Sequence, residues 1–401
     1  MALIAPPLSL YVHFPWCVRK CPYCDFNSHT AQGAPPIAAY MEALRDDLDA
    51  QAPFATGRPV HSVFIGGGTP SLMPPETVGR LLEHVRLRLA LTPQCEITME
   101  ANPGAIERGR FAEYRAAGIT RVSLGAQSFQ PAQLQALGRI HSADETRTAA
   151  AELHAAGLEN FNLDLMVALP GQDEAAALAD VRAALALEPA HLSHYQLTME
   201  PGTVFGGRPP DGLPGHDQAA DMQERCHVLL AEAGFTRYEV SAFARPGRRC
   251  EHNLNYWNFG DYLGIGAGAH GKRTDAVQGR IERTVREREP RRYMSRGARG
   301  LAPSQTVRAA ELPFELMMNA LRLVEGFDVA LYEQRTGLAW DAIAARFGRL
   351  EARGLVESRP SGWRPTRLGG QFLNDMLLEF VDLPREQRPG LGRKTPAKPM
   401  T

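Results

Sequence analysis

Cys17, Cys21 and Cys24 stand within eight residues of one another in the stretch YVHFPWCVRKCPYCDF, from Tyr11 to Phe26. Thiolates are soft metal ligands, and three this close reach one site without closing a long loop. On a helix they would fall at i, i+4 and i+7 on one face. Pro15 and Pro22 favour a loop wrapped around a centre instead. Two chemistries fit. Zinc takes four protein ligands, or three and a water, and His13, Asp25 or His29 can supply a fourth. A 4Fe-4S cluster takes one thiolate on each of three irons and leaves the fourth iron open to a small molecule. Cys95, Cys226 and Cys250 are scattered singles, unlike the disulfide framework of a small secreted domain.

Something must hold these thiols. Leu8–Phe14 reads as a strand that feeds the cysteine loop directly. Five more strands follow at 60–65, 96–100, 121–124, 160–166 and 192–197. Helical periodicity separates them at 37–51, 75–89, 106–117, 131–137, 144–156 and 174–187. Strands joined by helices long enough for crossovers predict a parallel α/β sheet with outer helices. In such sheets ligands gather at the C-terminal ends of the strands. Those ends carry Cys17, then Gly66–Thr69, Glu100 and Gln127, with Asp164 within or after the fifth strand. Packing alone does not call for polar or glycine elements at five successive strand ends.

Past Met199 the rhythm breaks. Residues 201–215 read as loop, 217–233 as a helix and 235–243 as a strand. HNLNYW at His252–Trp257 and the run LGIGAGAHG at 263–271 follow, the latter read as a tight loop. Residues 286–303 are polar and basic and read as a connection. Three helices at 311–323, 329–336 and 340–353, a hairpin around Ser361–Gly362 and a helix at 368–380 outline a small winged-helix-like unit. Its third helix mixes charges, so no nucleic-acid partner is expected. The division is 1–200, 201–300 and 301–383, with a disordered proline-rich tail at 384–401.

The 401 residues carry a formal net charge of −1, with 44% hydrophobic and 22% charged residues. That is an ordinary globular composition with no whole-molecule attraction for nucleic acid or anionic lipid. The opening MALIAPPLSLYVHF lacks the basic and apolar regions of a signal peptide. No apolar run reaches the ~18 residues of a membrane span. A cytoplasmic protein is expected, with at most peripheral membrane contact.

CxxxCxxC after a first strand, Tyr23 just before the last cysteine, and GGGTP after the second strand resemble the radical S-adenosylmethionine superfamily. Over nearly the whole chain the pattern is similar to the branch holding oxygen-independent coproporphyrinogen III oxidase and its haem-chaperone relatives. The resemblance implies a partial (β/α)6 TIM-type barrel with a small C-terminal domain. It implies a 4Fe-4S cluster on Cys17, Cys21 and Cys24, with S-adenosylmethionine on the open iron. Tyr11, Tyr23, Gly67, Gly68, Thr69, Glu100, Gln127, Arg139 and Asp164 match the family's cofactor contacts. Their chemistry is apt: carboxylates accept from an ammonium or ribose hydroxyls, and an arginine clamps a carboxylate.

Two departures from the oxidase separate the chaperones from it. Phe26 stands where the oxidase usually has a fourth cysteine, and only 16 residues precede Cys17, where the oxidase usually has a longer segment. His252, Asn253, Tyr256 and Trp257 match the HNxxYW motif tied to haem in the chaperone branch. His252 is then the expected haem residue, and Cys250 a second candidate. The expectation is a haem chaperone without coproporphyrinogen oxidase activity, handing haem to an acceptor protein such as a respiratory one. No catalytic residue is assigned. The alternative is the oxidase itself, a radical decarboxylase.

Overall fold

The structure is a computed structural model and describes residues 2–104, 109–296 and 304–381. The expected start of the third helix at Ile106 and the tail at 384–401 lie outside the described residues. A twelve-stranded mixed sheet forms the spine. β1 (Leu8–Phe14), β2 (Val60–Gly67), β3 (Leu91–Ala101), β4 (Arg121–Gln127), β5 (Phe161–Val167) and β6 (His191–Gln196) lie side by side in chain order, all parallel. β7 (Asp261–Ile265) pairs in parallel with the free side of β1 and makes a seventh parallel strand. β8 (His270–Asp275) and β9 (Arg280–Val285) continue antiparallel beyond it. The short strand Ala242–Ala244 pairs antiparallel with β6, and Thr236–Arg237 pairs with it in turn at the sheet edge. The strand order is linear, so the barrel is open.

The strands divide by alternation. Leu8, Leu10, Val12 and Phe14 of β1 are buried in one core with Tyr40, Leu44 and Leu48 of the helix Ile37–Gln51. Ser9, Tyr11 and His13 take the opposite face, as side chains on a strand must. The register carries this split across the sheet: Tyr11 lies beside Phe64, Phe64 beside Thr98, and Thr98 beside Arg121. A parallel strand covered on both faces is usually apolar almost throughout. Here every second residue is free to be polar because the inner face borders a cavity.

Helix ends fix the rim loops. Pro75 occupies the first helical turn of Pro75–Arg88, where its missing N–H costs nothing. Ser142 and Glu145 form a capping box, with bonds of 3.2 and 2.8 Å, at the start of Ala143–Ala155. That cap anchors the segment carrying Arg139. Gly118, at φ 112°, ends Phe111–Ala117 in the left-handed conformation a glycine tolerates best.

Several local expectations change. The glycine run 263–271 is not a loop: it supplies most of β7 and the start of β8, joined by a turn through Gly266 and Gly268. A Cβ on Gly264 would sit 1.8 Å from the His270 carbonyl oxygen, so glycine is what lets the two strands approach. The segment read as a connection holds the helix Pro290–Arg296. It is anchored by Tyr293, whose hydroxyl donates to buried Asp47 at 2.9 Å. The single strand expected at 235–243 is two short ones. The last helix breaks at Phe372 into Arg367–Gln371 and Leu373–Leu377.

The C-terminal unit has helices Leu312–Ala320, Val329–Thr336 and Asp341–Ala352 and the hairpin Val356–Ser358 with Gly362–Pro365. Its core takes in Phe259 and Ile281 from the sheet region. Arg249–Glu325 and Arg322–Glu239 ion pairs, at 2.6 and 3.0 Å, cross the same boundary.

Candidate functional site

The polar inner face lines a cavity of about 990 Å³, at the upper end of the ~300–1,000 Å³ usual for small-molecule sites. Tyr11, Tyr23, Gly67, Gly68, Thr69, Glu100, Gln127, Arg139, Asp164, His252 and all three clustered cysteines border it. One chamber thus brings together the three cysteines, His252 and the residues matched to the family's cofactor contacts, while His29, a possible fourth zinc ligand, does not line it.

The cysteine loop is tied down at its base. Trp16–Cys17 pairs with His29–Thr30, and Lys20 donates to the Phe26 and Ser28 carbonyls at 3.0 and 3.1 Å. The three thiols are free and half-buried. Burial raises the pKa of Cys17 and of Cys24, so they stay protonated until a cation takes the proton's place. Arg139 donates to the Cys21 sulfur at 3.6 Å, to Asn102 Oδ1 at 2.6 Å and to the Gly125 carbonyl at 2.8 Å. Arg139 thus ties the Cys21 sulfur to the third strand end and to β4. Among the described residues, no three His, Cys, Asp or Glu side chains converge as a single metal ion requires. A cubane is less demanding, since each thiolate takes its own iron. The donor set therefore fits a 4Fe-4S cluster better than zinc.

The glycine loop is stitched to this one. Gly68 N–H donates to the Phe14 carbonyl at 2.7 Å and Thr69 N–H to the Trp16 carbonyl at 2.8 Å. Gly67 N–H donates to Glu100 Oε2 at 2.9 Å. With these amides engaged, the loop can offer a ligand carbonyl oxygens, which suit an ammonium. Asn102 donates to Thr69 Oγ1 at 3.0 Å and so joins the glycine loop to Arg139.

Glu100 and Asp164 lie deeper. Burial raises the Glu100 pKa to about 7, opposed by the Gly67 amide and reinforced by Asp164. Burial also raises Asp164, against hydrogen bonds from Asn162, Ser193 and Ser123. Gln127 reaches the rim through a register shift in β4 and a φ of 65°, rare for a residue with a side chain. Its Oε1 accepts from the Tyr195 hydroxyl at 2.9 Å. Tyr23 packs against Phe205, whose amide donates to the Pro22 carbonyl at 3.0 Å.

His252 lies on the helix Glu251–Trp257, against the opposite part of the wall. It is 1% exposed. Ser62 Oγ lies 3.0 Å from its Nδ1 and Tyr256 Oη 2.9 Å from its Nε2, so both ring nitrogens are engaged. Burial lowers its pKa to about 3 and keeps it neutral. An iron at Nε2 would have to displace Tyr256. Cys250 is also buried, its thiol directed to Glu96 Oε1 at 3.6 Å.

Sequence reasoning missed Asn27, Asn102 and Tyr195. Asn102 follows Glu100 by two residues at the same strand end, and Tyr195 shares the period-two pattern of His191 and Ser193, so both had a signal. Asn27 had none, because its partners are remote carbonyls: Nδ2 donates to Ala267 at 2.9 Å and Arg288 at 2.8 Å. Its own carbonyl lies 2.9 Å from His13 Nε2, and His13 Nδ1 lies 3.0 Å from the Tyr11 hydroxyl. Asn27→Ala, which strands two carbonyls, is expected to cost about 1–3 kcal/mol, read as a lower urea midpoint for the apo chain.

Three thiols on a loop above a glycine turn, at the mouth of an open parallel barrel, define a radical S-adenosylmethionine protein. Residues 11–184 match the Radical SAM superfamily model and 307–372 the HemN C-terminal domain model. The chain is 49% identical to the heme chaperone HemW of Escherichia coli strain K12, covering 94% of this chain and 98% of that protein. It is 45% identical to the heme chaperone HemW of Haemophilus influenzae, with the same coverage. The mitochondrial radical S-adenosyl methionine domain-containing protein 1 of Bos taurus is 35% identical, over 93% of this chain and 87% of that one. This chain belongs to the HemW family. Coproporphyrinogen III oxidase HemN from Escherichia coli has the same fold, with a TM-score of 0.79 at 23% identity, over 94% of this chain and 90% of that one.

Proposed function

We propose that this chain is a haem chaperone that binds haem and passes it to an acceptor protein. One observation carries the reading: near-full-length identity of 49% to a protein named for that task. Phe26, at the position of the oxidase's fourth cysteine, supports it. The setting is the cytoplasm, and the expected acceptor is a respiratory haem protein. Among the described residues no helix is long and apolar enough to cross a membrane.

Cys17, Cys21 and Cys24 would hold a 4Fe-4S cluster, which when bound supplies an open iron for S-adenosylmethionine and a route for single electrons. The rest of the rim would hold that ligand. Glu100, with the carbonyls of Gly67 and Gly68, would accept from its ammonium, and Arg139 and Thr69 would meet its carboxylate. Gln127, Asp164 and Tyr11 would offer hydrogen bonds to its nucleoside end, and Tyr23 packs at the rim against Phe205.

Anaerobically reconstituted protein is expected to bind one hemin per chain, to pass it to an apo-acceptor, and to leave coproporphyrinogen III unconverted. Conversion to protoporphyrinogen would replace this reading by the oxidase.

Glu100 makes a pH prediction. Its folded pKa, about 7, exceeds the value of 4.5 for an unperturbed glutamate. Folding therefore favours the protonated form, and the unliganded chain loses stability as pH rises from about 4.5 through 7. An ammonium ligand needs the carboxylate. Affinity for S-adenosylmethionine is expected to climb about tenfold per pH unit below 7 and then level off. Titration calorimetry should show proton release below pH 7, and Glu100→Gln should weaken binding and flatten the profile. A flat wild-type profile would remove Glu100 from the ammonium site.

A further inference from the structure

Four imidazoles border the cavity: His13, His191, His252 and His270. Three have both ring nitrogens engaged. His13 meets Tyr11 and the Asn27 carbonyl. His191 meets Asn162 and the Tyr238 hydroxyl at 2.6 and 2.8 Å. His252 meets Ser62 and Tyr256. His270 differs. It opens β8, is exposed, and among the described residues its ring makes no hydrogen bond.

Its position follows from the glycine turn. β7 runs parallel to β1 and ends beside the cysteine loop, and the turn through Gly266 and Gly268 returns the chain at the same rim. A Cβ on Gly268 would lie 2.3 Å from Asn27 Nδ2, so this turn packs directly on the cysteine loop. Phe26, 56% exposed, shares the cavity lining with His270. An exposed aromatic on the same cavity wall as an imidazole with free ring nitrogens suits a flat apolar ligand that carries a metal. Arg19 and Arg288 also line the cavity, are exposed, and hold no ion pair among the described residues. Guanidinium groups so placed suit carboxylates.

We propose that His270 is the protein ligand to haem iron. The macrocycle lies at the cavity mouth against Phe26, its propionates reach Arg19 and Arg288, and His252 shapes the wall. The proposal rests on the haem-chaperone reading and specifies how the cargo is held. A mouth site suits transfer, because an acceptor can take the iron without unpacking buried His252.

The test titrates hemin into reconstituted wild type, His270→Ala, His270→Met and His252→Ala, with optical and electron paramagnetic resonance spectra and a thermal melt for each. Wild type is expected to bind one hemin with a histidine-ligated spectrum. His270→Ala should melt as wild type, bind hemin at least tenfold more weakly and lose that spectrum, and free imidazole should restore it. His270→Met should give a thioether-ligated spectrum. His252→Ala should keep the histidine signature in whatever fraction folds. A histidine signature that persists in His270→Ala, or is lost from folded His252→Ala, overturns the assignment and leaves the function standing. Wild type that binds no hemin overturns the function itself.

Discussion

Cys21→Ser is expected to lower bound iron, after anaerobic reconstitution, from about four per chain to below one. Serine's oxygen is harder and far less acidic than sulfur, so at neutral pH it offers no anion to iron. The loss extends beyond one bond. Arg139 donates to the Cys21 sulfur and also to Asn102 and the Gly125 carbonyl, and Asn102 in turn holds Thr69. Removing the thiolate uncouples this chain, so affinity for S-adenosylmethionine should fall even where some iron persists. Cys17→Ser and Cys24→Ser should lose the cluster likewise. Cys95→Ser is the control, because Cys95 lies outside the cavity lining. Iron and sulfide analysis with circular dichroism decides the matter. A folded Cys21→Ser chain that retains four irons would sink the ligand assignment.

The parallel core was legible because two periodicities coexist in it. Strands such as Leu8–Phe14 place an apolar residue at every second position for the helix side, and helices such as Ile37–Gln51 repeat theirs at three and four. The rim was legible for a related reason: Glu100 and Gln127 stand at strand ends, and Asp164 in the middle of β5, on the face where packing asks for nothing polar. Features that depend on remote contacts were not legible. β7, the start of β8 and the turn between them carry four glycines from Gly264 to Gly271, which lowers strand propensity, and the pairing of β7 with β1 spans about 250 residues of chain. Asn27 reads as a loop residue until Ala267 and Arg288 arrive. The HNxxYW motif was visible as a motif, but its burial was not, because the partners that engage His252 come from Ser62 on β2 and from Tyr256 one helical turn on.

Gly68→Ala is expected to destabilise the apo chain by about 3 kcal/mol or more and to abolish cluster assembly in the protein that does fold. A Cβ there would lie 2.4 Å from the Trp16 carbonyl oxygen and 2.7 and 2.9 Å from its carbonyl carbon and amide nitrogen. All three atoms are backbone, so no rotamer change relieves the clash. Either Gly68 N–H leaves the Phe14 carbonyl or the chain at Trp16 moves outward, and Trp16 precedes the first cysteine. Gly67→Ala acts differently. Its Cβ would meet the His13 ring at 2.5 Å, at a φ of 116° that costs a further ~1–3 kcal/mol. His13 can give way only by releasing Tyr11 or Asn27, so this variant should loosen the Asn27 clamp as well. Gly348→Ala is the contrast. It sits within the helix Asp341–Ala352 with nothing within 4 Å of a new Cβ, and should raise stability by about 0.5–1 kcal/mol. Urea midpoints of the three apo variants, followed by iron content after reconstitution, separate the cases. If Gly68→Ala matched wild type in both, the glycine loop would not be what holds the cysteines in place.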